Sequence, residues 1–386
     1  MERSKKAKKK SNATGFTSFL SIIAGAILGI LLCRELNHAT ADLSSGLSLP
    51  VVLSFFFVLW GAALLQILIH ELGHLVFGLS SGYRFFTFRI GSLTWIKEEN
   101  QIKFRKYSLA GTGGQCLMFL PEGEITTKTH VLYHIGGSIF NAVSSILCAV
   151  VCLCIKERSY LTLVLWTIGG IGLISALSNG IPLKFALVNN DGHNAMSIGK
   201  DPKGAAAFCL QMKITEAESK GMRMKDMPDS WFSIPNRNDL GNSMVASTAV
   251  LACFRMMEQE KFTEADYLME QLLGIESGMV GYHRVLLTCN RILIETLREN
   301  RQDRIRELLS PMQKKHMSAL RKNPIVLRTE YALAQLSEGN PSKASNLRKE
   351  FVSIAKTYPY KEDIEDTCKL MAMIDEKVQS HTTIAQ

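Results

Sequence analysis

The sequence LQILIHELGHLVFGL (residues 65–79) places two histidines and a glutamate inside an otherwise apolar segment. This segment belongs to an apolar run at 51–79, which is long enough to cross the roughly 30 Å hydrocarbon layer of a membrane as a helix. Each ionisable group within such a span costs on the order of 2.5–3.5 kcal/mol on insertion scales. Three of these groups within five positions therefore indicate a shared role, and metal binding is the most direct one.

The motif HELGH (residues 70–74) has the spacing H-E-x-x-H. Residues four apart lie on one face of a helix, so His70 and His74 can direct two ring nitrogens at one Zn²⁺ ion. Glu71 lies beside them and can act as the general base toward an attacking water. The same pattern also arises by chance in soluble chains, but its position within an apolar run favours a zinc site.

A zinc hydrolase usually has three protein ligands and an open fourth position. Asp191 is the candidate third ligand, because it follows the last long apolar run in LSNGIPLKFALVNNDGHNA (residues 177–195) and precedes the turn-permitting Gly192. The neighbouring His193 could bind the ion instead. A turn followed by a helix cap at the membrane exit is a third interpretation of the same residues.

Four apolar runs are long enough to be membrane spans, at 16–33, 51–79, 131–155 and 160–187. The leader at 1–15 has six Lys/Arg in its first ten residues, which predicts a cytoplasmic N-terminus, and four spans return the C-terminus to the cytoplasm. The first run could also be a cleaved signal peptide, but we expect a retained anchor. The sequence therefore predicts an α-helical multi-pass protein of the cell membrane, with its membrane domain at 16–195.

The net charge of +9 is explained largely by lysines near the predicted spans, which suit the anionic headgroups of a lipid bilayer. No nucleic-acid-binding motif accompanies this charge, so nucleic acid is not an expected partner. The nine cysteines are an odd number without a disulfide-like spacing, and we interpret them as reduced residues.

These elements together resemble the site-2 protease family of intramembrane zinc metalloproteases, over roughly residues 51–195. Members of that family have H-E-x-x-H in one span, G-x-x-x-N in the next core span, and N-x-x-P followed by Asp-Gly in the third. The corresponding residues here are His70 to His74, Gly137 with Asn141, and Asn179 with Pro182 followed by Asp191 and Gly192. Two departures are Ser138, where proline is usual, and a longer stretch between 182 and 191.

The resemblance implies that His70, His74 and Asp191 bind zinc and that Glu71 is the catalytic base. It also implies that Asn141 holds the substrate or the developing oxyanion, since a carboxamide donates hydrogen bonds without bringing charge into the membrane. A lone asparagine in a span often bonds a neighbouring helix instead, and this remains the alternative for Asn141.

Residues 85–91 and 100–111 alternate apolar and polar side chains in part, with the turn-like sequence KEEN (97–100) between them. We expect an amphipathic β-hairpin at the cytoplasmic membrane interface. The glycine-rich stretch SLAGTGGQCLMFLPE (108–122) follows, and a substrate strand could add to an edge there. The alternative is a hairpin that only seals the sheet against the bilayer.

Charged residues mix with apolar ones at helical spacing after about residue 196. We expect a connector at 196–239 and a helical cytosolic domain at 240–386. Ala265, Ile305 and Ala344 follow short polar turns at spacings of 40 and 39 residues, which favours a small α-solenoid that binds the substrate or a protein partner. A self-contained helical bundle is the alternative.

The sequence as a whole predicts a cytoplasm-facing intramembrane zinc metalloprotease, which cleaves a membrane-anchored peptide or protein in or near its span. A non-enzymatic membrane scaffold that recruits a partner through its helical C-terminal domain is the alternative from another class. An enzyme that uses zinc for a different reaction is a third, and the extended interfacial strands favour a peptide substrate over it.

Overall fold

The computed structural model describes residues 29–30, 49–98, 101–106, 112–122, 126–155, 159–358 and 360–384. Contacts divide the chain into two compact units, which are described separately. The membrane unit comprises the described residues of Met1–Ile90, Gly113–Phe185 and Asn189–Met196. The carboxyl-terminal unit comprises those of Gly91–Thr112, Ala186–Val188 and Ser197–Gln386.

Three helices build the membrane unit, namely α1 (Leu49–Ser80), α2 (Thr127–Cys154) and α3 (Tyr160–Gly180). Each of them is long and apolar enough to cross a membrane. Large apolar side chains such as Phe57 and Leu153 are 72% and 78% exposed, as expected of surfaces that face lipid. Three of the four predicted spans thus have a helical counterpart, whereas the span predicted at 16–33 lies outside the described residues except for 29–30.

Helix α3 ends at Gly180, seven residues before the predicted end of the fourth span at 187. The next residue, Ile181, has an extended backbone with φ −76° and ψ 127°. Pro182 explains this end, because proline pushes the preceding residue out of the helical region and has no N–H to continue the helix. Residues 181–190 therefore form a non-helical excursion between α3 and the next helix.

Helices α1 and α2 cross with their backbones in contact at two glycines. A Cβ atom built on Gly73 would overlap the carbonyl group of Gly136, and one built on Gly136 would lie 2.6 Å from the Gly73 oxygen. Small residues allow such close approach between membrane helices. Gly73, the fourth residue of HELGH, is thus required by the packing of α1 against α2.

Replacing Gly73 by alanine is expected to lower the stability of the protein by about 1–3 kcal/mol, because overpacking an interior displaces backbone. Gly61→Ala is the matched control, since it lies on the same helix and its Cβ would have no neighbour within 4 Å. Thermal unfolding of both variants in one detergent measures the difference. Equal loss of stability in the two variants would contradict the backbone contact.

The described residues include a small antiparallel sheet, as predicted, and the sheet has four short strands. In the membrane unit, β1 (Arg84–Ile90) pairs with β4 (Gly114–Phe119), so that Arg84 is opposite Phe119 and Ile90 is opposite Gly114. In the carboxyl-terminal unit, β2 (Leu93–Glu98) pairs with β3 (Gln101–Lys106). The strand expected at 85–91 therefore pairs with the glycine-rich segment, and the hairpin around KEEN is formed by the additional strand β2.

The region after residue 190 is helical, which confirms the predicted helical character of the C-terminal half. Its helices are α4 (Asp191–Gly199), α5 (Pro202–Ser219), α6 (Ser243–Glu258), α7 (Phe262–Leu273), α8 (Gly281–Leu297), α9 (Gln302–Leu308), α10 (Pro311–Ala319), α11 (Pro324–Ala332), α12 (Pro341–Ala355) and α13 (Lys361–Ile384). Side-chain caps and a proline in the first turn start several of them, as at Asn323 with Pro324 and at Asn340 with Pro341.

Three helical hairpins recur in the carboxyl-terminal unit, formed by α6–α7, α8–α9 and α11–α12. Each turn contains one residue with a left-handed backbone, and each such residue precedes a buried side chain by five positions. These residues are Glu260, Asn300 and Gly339 in the turns, and Ala265, Ile305 and Ala344 in the second helices. The spacings of 40 and 39 residues thus correspond to repeated helix pairs.

Candidate metal centre

His70, His74 and Asp191 bring three metal-ligand atoms together in the membrane unit. The Nε2 atoms of His70 and His74 are 3.1 Å apart, and Asp191 Oδ2 lies 3.0 Å from the first and 3.4 Å from the second. A tetrahedral ion with bonds of 2.0–2.1 Å has edges of about 3.3 Å, so these spacings fit three corners of a tetrahedron. The group could hold a metal ion, and its nitrogen and oxygen donors are of the types that zinc accepts.

The second ring nitrogen of each histidine is hydrogen-bonded to an oxygen on α2. His74 Nδ1 lies 2.8 Å from the backbone oxygen of Tyr133, and His70 Nδ1 lies 2.7 Å from Asn141 Oδ1. A carbonyl oxygen only accepts hydrogen bonds, so Nδ1 carries the proton in both rings. The lone pair of Nε2 is then available to a metal, which is the arrangement that outer hydrogen bonds impose on ligating histidines.

Glu71 is a residue of α1 and is buried against the start of β4. A Cβ atom on Gly114 would lie 2.5 Å from Glu71 Oε1, so the first residue of β4 passes directly over the carboxylate. The neighbouring Gly113 lies against Ile67, one helical turn before Glu71. Glycines at positions 113 and 114 thus allow the strand to lie directly against the candidate catalytic base.

Strand β4 pairs with another described strand along one edge only. It pairs with β1 along its length, and the Tyr133 hydroxyl donates a hydrogen bond of 2.6 Å to the backbone oxygen of Cys116. Among the described strands, β4 stands at the end of the sheet order, so its second edge has no strand partner. An open strand edge beside Glu71 offers backbone hydrogen bonds to an extended peptide.

The side chain of Asn190 closes the excursion at 181–190. Its Oδ1 accepts hydrogen bonds of 2.9 Å from the backbone N–H groups of Leu183 and His193. Its Nδ2 donates to the backbone oxygens of Ser178 and Ile181, at 2.6 and 2.5 Å. One buried side chain therefore joins the end of α3 to the first turn of α4, and this returns Asp191 to the histidines despite the long intervening stretch.

Gly192 allows the start of α4 to pack closely against the end of α3. A Cβ atom at position 192 would overlap the carbonyl group of Gly180, so a larger residue could not bring α4 this close to the end of α3. The aspartate-glycine pair is thus a candidate ligand followed by a packing residue. The helix-cap interpretation also applies, since Asn190 caps α4 while Asp191 faces the histidines.

Electrostatics favour an ionised Asp191 and a neutral His193. Burial opposes ionisation of Asp191, but the adjacent His74 and His70 hold the pKa of its carboxyl below the usual range. Burial, together with the positive charge of Lys184, lowers the pKa of His193 to about 4. Among the described residues, the group of clustered metal-ligand atoms contains Asp191 and does not contain His193.

The two asparagines of the sequence motifs lie in different environments. Asn179 donates a 3.1 Å hydrogen bond to the Ser175 oxygen within α3. Asn141 is fully buried beside His70, with Gln66 on its other side. Gln66 and Asn190 were not predicted to be part of the site, although an amide inside an apolar run and an asparagine before a helix are both recognisable in the sequence.

Comparison with protein-family models, curated proteins and solved structures gives no match for this chain.

Proposed function

We propose that this protein is an intramembrane zinc metalloprotease of the site-2 protease type, which hydrolyses a peptide bond in or near the span of a membrane-anchored protein or peptide. One observation carries the proposal: His70, His74 and a buried Glu71 lie within a helix able to span a membrane, and Asp191 at the start of α4 completes three ligand atoms with tetrahedral spacing. A structural metal site needs no adjacent base, so Glu71 favours a hydrolytic centre over a scaffold.

His70, His74 and Asp191 would hold the zinc ion. Bound zinc polarises a substrate carbonyl and makes water more acidic, without redox chemistry. Glu71 accepts a proton from the attacking water and passes it to the leaving amine nitrogen as the C–N bond breaks. Burial of Glu71 under β4 keeps other water away from this proton transfer.

The open edge of β4 would present the substrate. A peptide bond within a helix is shielded by its own hydrogen bonds, so the cleaved segment has to be extended when it reaches Glu71. Pairing with β4 supplies hydrogen bonds to the extended backbone while Gly114 keeps that backbone close to the carboxylate. The basic leader and loops favour cytoplasmic termini, with the C-terminal helical hairpins available to a partner or substrate.

Removing the metal tests this function directly. The purified full chain is incubated in lipid vesicles with extracted membrane proteins, after treatment with a chelator or after chelation and zinc restoration. We expect fragments with new N-termini in or near predicted spans only when zinc is present. An identical set of fragments with and without zinc would refute the proposal.

A further inference from the structure

Two buried amide side chains, which are hydrogen-bonded to each other, lie next to the candidate metal centre, where the three membrane helices meet. Gln66 on α1 is 1% exposed and Asn141 on α2 is 0% exposed. Both lie within helices able to span a membrane, where an amide without hydrogen-bond partners is strongly unfavourable. Their partners therefore define what these two side chains can do.

The hydrogen bonds of Asn141 determine its orientation. Its Nδ2 donates to the backbone oxygen of Gln66 at 2.9 Å and to Gln66 Oε1 at 2.7 Å. Because a backbone oxygen only accepts, the NH₂ group must face Gln66 and Oδ1 must face His70, which it contacts at 2.7 Å. Both N–H bonds of Asn141 are thus used, and neither is directed at a substrate oxygen.

Gln66 is held in turn by the other two helices. Its Nε2 donates to Ser144 Oγ at 3.1 Å and to the backbone oxygen of Ile168 on α3 at 3.0 Å. Room for it comes from Gly172 on α3, where a Cβ atom would lie 2.6 Å from Gln66 Nε2. A second glycine, Gly137 on α2, makes room for the His70 ring in the same way, because a Cβ atom there would overlap the ring.

We propose that Asn141 and Gln66 are positioning residues for His70, rather than groups that bind the substrate. Asn141 Oδ1 keeps the proton of His70 on Nδ1 and fixes the ring plane, so that Nε2 points at the metal. Gln66 keeps Asn141 in that orientation and links it to α3. The inference rests on the metal centre of the proposed function but does not depend on the reaction that occurs there.

Zinc affinity measures this role without any assay of proteolysis. The full chain is purified in detergent, and its dissociation constant for zinc is obtained by competition with a chromophoric chelator. Outer partners of ligating histidines typically contribute 10–100-fold to metal affinity, so Asn141→Leu is expected to weaken zinc binding by about that factor. Gln66→Leu is expected to weaken it by about tenfold, because Asn141 then loses one of its two acceptors.

Two further variants separate positioning from general damage. Asn141→Asp keeps an oxygen facing His70 and is expected to recover most of the affinity lost in Asn141→Leu. Thr167→Val is the control, because Thr167 is a fully buried residue of α3 whose hydroxyl donates to the Leu163 oxygen in its own helix, at 2.7 Å, and to no other described residue. Its zinc affinity is expected to equal that of the unmodified protein.

Unchanged zinc affinity in Asn141→Leu, with or without loss of hydrolysis, would overturn the inference and return Asn141 to a substrate-binding role. Equal weakening in Thr167→Val would also overturn it, since loss of helix packing would then explain the effect. Failure of the proposed protease function would be distinguishable, because a chain that binds zinc but cleaves nothing still shows the affinity pattern of the four variants.

Discussion

Replacing Glu71 by glutamine is expected to reduce peptide hydrolysis by roughly 10²–10⁴-fold, the contribution of a positioned general base. Glutamine keeps the size of the side chain and its contact with Gly114, but its amide cannot accept the proton of the attacking water. Zinc binding is expected to stay unchanged, because the three clustered ligand atoms do not include those of Glu71. Initial rates of substrate cleavage in vesicles, together with the zinc content of each preparation, measure both effects.

Glu122→Gln is a suitable control for the loss of a carboxylate. Its side chain is 84% exposed and pairs loosely with Arg84 at 3.7 Å, in the same unit but outside the spans. This variant is expected to cleave at the normal rate. Undiminished cleavage by Glu71→Gln would end the proposed mechanism, and loss of zinc from that variant would show that Glu71 is a ligand instead.

Asp191→Ala is expected to lose bound zinc, whereas His193→Ala retains it. The aspartate contributes the only oxygen ligand among the three clustered atoms and faces both histidines at 3.0 and 3.4 Å. Removing it leaves two nitrogen ligands and an incomplete site. His193→Ala keeps the backbone N–H that bonds Asn190, so the fold of the excursion is preserved.

Zinc content after dialysis against a weak chelator measures this pair of variants. A drop from about one ion per chain to a small fraction is expected for Asp191→Ala alone. Loss of zinc in His193→Ala with retention in Asp191→Ala would reassign the third ligand. Thermal unfolding of the two variants, measured under the same conditions, shows whether either substitution has altered the fold.

The HELGH part of the site was predictable because it is local. Helical periodicity alone places His70 and His74 on one face, and an apolar run alone predicts the span. The position of the candidate third ligand, Asp191, depended on a tertiary arrangement, since the number of residues between 182 and 191 does not show where residues 181–190 bring the chain. The Asn190 side chain holds this segment in place through four hydrogen bonds to backbone groups. No sequence pattern indicates which backbone groups these are.

The orientation of Asn141 and the strand pairing could not be predicted from the sequence, because both also depend on tertiary contacts. A carboxamide can donate or accept, and only the presence of Gln66 on another helix determines that Asn141 accepts from His70. The sequence LTWIKE mixes apolar, polar and charged residues, so β2 was not recognised as a strand between two better alternating segments. The helical hairpins were visible because their turns and buried residues recur at a fixed spacing.

The backbone contact between Gly73 and Gly136 also restricts the routes by which a polypeptide can reach the candidate metal centre. Two helices whose backbones are in contact leave no gap between them, so an incoming polypeptide cannot pass at that point. The hydrogen bonds of Gln66 likewise join α1 to α2 and α3. In the proposed protease, a substrate would therefore approach around the other side of α1, where β4 lies over Glu71 and has no strand partner along its second edge among the described strands.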